Sequence, residues 1–148
     1  MVVQAVGQDN PFFDPPAAQE LLAELLRATD GRAGDRLSGA IRAVTLAGSS
    51  LPRDQVDAAI AAIALLLAQH EPTMLDGADN EQVLRRWLHD VDTELTPGRR
   101  LAAGAALARI GLSQDNEWYA AHQQAGTLSA ALSVLRRLRD ELADAEGS

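Results

Sequence analysis

The sequence predicts an all-α protein, a single-domain bundle of six or seven helices over residues 1–148, and three observations carry that expectation. The first is the stretch Val56 to Gln69, in which the eleven residues from Ala58 to Ala68 have no polar side chain. Val56, Ile60, Ile63 and Leu67 recur at helical steps of four, three and four, Leu65 and Leu66 fall on other faces, and alanine fills most of what remains. A helix apolar on every side must be surrounded by other helices or by lipid. This run is too short for lipid, because spanning takes about 18 or more apolar residues. The second observation is composition: leucine and alanine dominate while isoleucine, phenylalanine and tyrosine are scarce, which favours helix over strand. The third is the succession of amphipathic stretches separated by proline, glycine and capping residues. The expected centre is therefore a buried helix over about residues 52–70, sheathed by the others. A chain of 148 residues buries roughly 70% of its unfolded surface, so the core needs no staples.

In order, residues 1–13 read as an extended arm: Gly7, Asn10 and Pro11 interrupt any helical period, and Phe12-Phe13 should pin the arm to the bundle. Asp14-Pro15-Pro16 starts a first helix to about Ala28, with Asp14 as cap and Ala18, Leu21, Leu22, Leu25 and Leu26 inward. Asp35 caps a second helix to about Ala47, lined by Leu37, Ile41 and Val44. Ser50 and Pro52 open the central helix, and Glu71-Pro72 stops it, since the residue before proline is pushed out of the α region. Thr73 to Ala78 reads as a loop. Asp79 with Gln82 forms a capping box for a fourth helix whose inner face is Val83, Trp87 and Val91, with Leu84, Leu88 and Leu95 beside it. Thr96-Pro97 caps a fifth helix that ends at Gly111. Its run of small residues, Ala102 to Ala106 and Ala108, should let it pack closely on the central helix. Asp115 or Asn116 starts a sixth helix carrying Trp118 and Tyr119. Gly126-Thr127 breaks it and caps a seventh with the stripe Leu128, Leu132, Leu135, Leu138 and Leu142, and with i,i+4 pairs Arg136–Asp140 and Arg137–Glu141.

The stretches Gly7, Pro11-Phe12-Phe13-Asp14, Ala17-Ala18 and Leu21 to Leu25, with Glu117-Trp118 and Leu132 to Leu142 at the far end, are similar to an uncharacterised family of small acidic bacterial helical domains. The family's opening tryptophan is replaced here near Val6, and Pro15-Pro16 stands where its members carry an acidic pair. The resemblance implies a helical fold and brings no activity with it.

The net charge is −8, all thirteen basic residues are arginine, and cysteine is absent. An acidic chain repels phosphate backbones, which argues against a nucleic-acid partner. Without cysteine there is no disulfide, no thiolate nucleophile and no cysteine-zinc site. Met1 to Gly7 lacks the charged start and apolar run of a signal peptide, no stretch is long enough to span a membrane, and the expected location is the cytoplasm.

No motif declares a catalytic, cofactor or metal site. His89 and Asp92 share a helix face and would need a further ligand for a divalent ion; a solvated acidic face is the simpler explanation. Asp76 to Glu81 has its glycine and glutamate misplaced for a calcium loop. Glu20 and Glu24 form a carboxylate pair one turn apart that would serve acid–base chemistry only if buried. Four residues stand out as interaction candidates. Arg99 and Arg100 sit in a helix's first turn, where the dipole disfavours cations by about 0.3–1 kcal/mol. They call for an acidic neighbour, from within the chain or from a partner. Trp118 and Tyr119 lie about 100° apart on their helix, so both cannot face one core equally. The bland arrangement is Trp118 inside and Tyr119 at the rim; the sharper one exposes an aromatic anchor. The expected function is a non-catalytic interaction module meeting a basic protein partner, as an immunity or inhibitor protein meets a toxin enzyme. The alternatives are a small enzyme built from scattered carboxylates, arginines and His89 or His122, and a homodimer hiding an apolar face.

Overall fold

The computed structural model describes residues 10–27, 33–46, 51–78, 81–90, 95–112 and 116–146. These form seven α-helices: α1 (Pro16–Arg27), α2 (Ala33–Leu46), α3 (Arg53–Ala68), α4 (Glu81–Asp90), α5 (Pro97–Leu112), α6 (Glu117–Ala125) and α7 (Leu128–Glu146), with a 3₁₀ turn at Pro72–Leu75. No strand occurs among the described residues. α3 is the expected centre. Every residue from Ala59 to Ala68 is buried, including Ile60, Ile63 and Leu67. Burying each of Leu65, Leu66 and Leu67 contributes roughly 1.5–3 kcal/mol. α1, α2, α6 and α7 pack against α3, so the rod is sheathed on several sides by amphipathic helices of its own chain.

The arm ends in a turn. Phe13 and Asp14 donate their N–H groups to Asn10 O at 3.0 and 2.9 Å, so residues 11–13 are folded back, and Phe12 and Phe13 are buried as expected. Residues 1–9 of the arm lie outside the described residues. Asn10 is the clip. Its side-chain amide donates to Met74 O at 2.9 Å and to Asp76 O at 3.0 Å, and its Oδ1 accepts from Phe12 N–H at 3.0 Å. Asp14 closes the same turn, accepting from Asn10 N–H at 3.0 Å.

Several boundaries differ from expectation for local reasons. Asp35 sits inside the first turn of α2, which begins two residues earlier. The N-cap of α3 is Pro52, with no side-chain cap bond, and Ser50 lies outside the described residues. Thr73 to Ala78 is partly helical: the Glu71 carboxylate accepts from the Thr73 hydroxyl at 2.7 Å and nucleates the 3₁₀ turn. In α4 the inward face is Leu84, Trp87 and Leu88, and Val83 is exposed, because it stands one helical step off that stripe. Asp79 and Val91 lie outside the described residues. α5 runs through Gly111, whose backbone is ordinary helix; the glycine that does stop a helix is Gly126, at φ 75°. The small residues of α5 serve α2 and α7 more than α3: Ala103 and Ala106 are buried, and a Cβ on Gly104 would stand 3.8 Å from Leu142. Arg137 leaves its expected i,i+4 partner and lies over the Phe12 ring, 5.6 Å from the centroid, tying α7 to the arm.

Candidate functional site

The polar feature that the apolar reading of α3 passes over is Asp57. It stands one turn after Arg53 and directly before the apolar run, and it is 4% exposed. α6 brings the groups that face it. Asn116 caps α6 by accepting from Tyr119 N–H at 3.0 Å, and its own amide donates to Ile110 O at 2.9 Å, anchoring the helix to the end of α5. The strand-like contact of Leu51 with Asn116, where Glu117 N–H donates to Leu51 O at 2.9 Å, fixes the start of α6 beside the start of α3. That register places Trp118 against Asp57, and the indole N–H donates to the carboxylate. His122, one turn on, meets Trp118 edge to face with ring centroids 4.9 Å apart. Gly126 then reverses the chain, and Thr127 Oγ1 comes within 2.7 Å of His122 Nδ1.

These residues border an open pocket of about 130 Å³ whose remaining walls are apolar: Ile60 from α3, Ala131 and Val134 from α7, and Pro11 and Pro15 from the arm and the approach to α1. The electrostatics follow from burial. Burial pushes the Asp57 carboxyl up to about 6, with Asp54 adding to the rise and Arg53 and the Trp118 N–H opposing it. Arg53 Nε stands 3.7 Å from Asp57 Oδ2 on a half-exposed side chain, too far for a hydrogen bond. His122 moves the other way: burial first, then the charge of Arg53, lowers its pKa and keeps the ring neutral. The pocket therefore presents, near neutral pH, one buried carboxylate with spare acceptor capacity, a neutral imidazole and a hydroxyl in an apolar surround.

Of the candidate site residues singled out in the sequence, Trp118 and His122 reach this pocket. Trp118 is 2% exposed, while Tyr119 is half-buried at the edge of the core. Arg99 and Arg100 are half-buried in the first turn of α5 and do not line it. The Arg99 N–H donates to Thr96 Oγ1 at 3.1 Å, so Thr96 does cap α5. His89 is exposed, and Asp92 lies outside the described residues. Glu24 is engaged by Arg36, and Glu20 faces solvent. Asp76 and Glu81 of the calcium-like segment are both held by Arg85, at 2.7 and 2.8 Å, and Asp79 lies outside the described residues. No group of three or more metal-ligating side chains occurs among the described residues. The signal that points to Asp57 is a lone carboxylate at the head of a run buried on all faces, four residues after an arginine.

Comparison with family models, curated proteins and solved structures found no match.

Proposed function

We propose that the chain is a non-catalytic interaction module of the cytoplasm that meets a basic protein through its acidic surface, in the manner of a small immunity or inhibitor protein. The observation that supports it is where the charge lies. Asp57 is the single buried carboxylate among the described residues, so their other carboxylates reach the surface, in a chain of net charge −8. Arg36, Arg53 and Arg85 are spent on internal carboxylates, leaving a surplus that steers cationic partners. Leu46 and Leu101, 74% and 78% exposed, add apolar surface that a partner can cover. The test is capture from lysate on immobilised protein at low salt. Retention of basic proteins that is lost at high salt supports the proposal, and empty or acidic captures at low salt oppose it.

A second reading, a small enzyme, is favoured by one observation: Asp57 and His122 border the same pocket and burial shifts the pKa of each, as at many catalytic sites. A turnover lost in both Asp57→Asn and His122→Asn, with the fold kept, would favour it over the partner reading.

A further inference from the structure

We propose that the pocket between α3, α6 and α7 is a binding site for a small free amine, an ammonium group on an apolar body of about six to eight heavy atoms. The inference stands apart from the partner reading, because the purified chain alone suffices for it.

The argument begins with Asp57. An ionised carboxylate offers about four acceptor positions. In this protein it receives one N–H, from Trp118, while Arg53 stays at 3.7 Å with its head half in water. An ionised group this buried and this incompletely bonded is costly, and the pocket is the open side from which a donor can arrive. An ammonium ion offers three N–H donors and a compensating charge. A neutral donor would complete the bonds without the charge, and an anion would meet like charge at the pocket floor.

The groups around the pocket agree in sign. Asp54 and Asp57 on α3 outweigh Arg53. His122 is held neutral by burial, so it does not repel a cation. α7 contributes Ala130, Ala131 and Val134, which carry no charge. The volume sets the size of the body: about 130 Å³ is close to the roughly 150 Å³ cavity that accepts benzene in another helical protein. Ile60, Val134 and the Trp118 indole give that body an apolar seat, which bare ammonium or methylammonium would leave empty.

The experiment titrates the purified chain with benzylamine near pH 7.5, following backbone and indole N–H signals by NMR. Benzyl alcohol, benzoate, methylammonium and a lysine capped at both ends serve as comparators. The expected result is benzylamine binding at least about tenfold tighter than benzyl alcohol, the ratio of a charge-assisted hydrogen bond of about 1.5 kcal/mol or more, with the Trp118 indole signal shifted. Benzoate and methylammonium should bind more weakly still. Asp57→Asn should bring benzylamine and benzyl alcohol to within about twofold of each other. Ala130→Leu, which fills the pocket from an exposed position on α7 and leaves the core untouched, should abolish binding of both. The proposal is overturned if benzylamine fails to bind at millimolar concentration, or if the alcohol or benzoate equals it. It is equally overturned if the amine preference survives either substitution. Capped lysine binding as tightly as benzylamine would assign the pocket to a protein side chain, overturning the free-ligand proposal while supporting the basic-partner reading.

Discussion

Asp57 sets the protein's sharpest dependence on pH. Its carboxyl is raised from 3.8 to about 6 in the fold, so between those values the folded state holds more protons than the unfolded chain. Its contribution to stability therefore falls as pH rises through that window, and above pH 6 the ionised group costs on the order of 2–3 kcal/mol. Asp57→Asn keeps the shape and the acceptor for the Trp118 indole while removing the charge. The variant should be more stable than the native chain at pH 7.5, with the advantage shrinking to nothing near pH 4, as read by urea unfolding at several pH values. An advantage independent of pH would refute the assignment. The comparison is made between the two proteins because Glu71 and Glu81 titrate in the opposite sense: the Thr73 hydroxyl and the Arg85 guanidinium, respectively, hold their carboxyls below the usual range. Asn10 makes a different kind of contribution. Its amide satisfies two main-chain carbonyls at a buried position, so Asn10→Ala should cost about 1–3 kcal/mol. Unchanged denaturation midpoints would show that the arm's turn stands without its clip.

Among the elements, α3 and the α6–α7 corner respond to different physics. Leu65 is fully buried in a helix with neighbours on every side, so truncation leaves a cavity that little can fill. Leu65→Ala should destabilise by roughly 2–5 kcal/mol, measured by thermal or chemical unfolding. A loss under 1 kcal/mol would mean that the sheath collapses around α3. At the corner, Gly126 has φ 75° with open space where a Cβ would stand. Gly126→Ala should therefore cost about 1–2 kcal/mol through backbone strain alone. It should also loosen the approach of Thr127 to His122, visible as a change in the imidazole titration by NMR. Much of this level is legible in the sequence. The stripes of α1, α2 and α7 and the Thr96 and Asn116 caps depend on spacing within a few residues. Gly111 does not stop its helix, because a glycine permits a left-handed turn without requiring one. The partners of α5 differ from expectation because small residues permit close approach without naming the neighbour.

For the molecule as a whole, the net charge of −8 opposes compaction. Raising salt from low to moderate concentration should therefore raise the melting temperature by screening that repulsion. A melting temperature that falls with salt would mean that the Arg85 and Arg36 ion pairs outweigh the net charge. The described helices include none long and apolar enough to cross a membrane, in keeping with the length of the central run.

An eleven-residue run without a polar side chain has one outcome in water, burial by the rest of the chain, and so the all-helical bundle and its centre come from local pattern. The pocket does not. Asp57 on α3, Trp118 and His122 on α6 and Thr127 between α6 and α7 are brought together by the register of Leu51 with Asn116 and the reversal at Gly126. A carboxylate's pKa depends on which side chains surround it, and that was decided by helix packing across some sixty residues of chain, where no periodicity reaches.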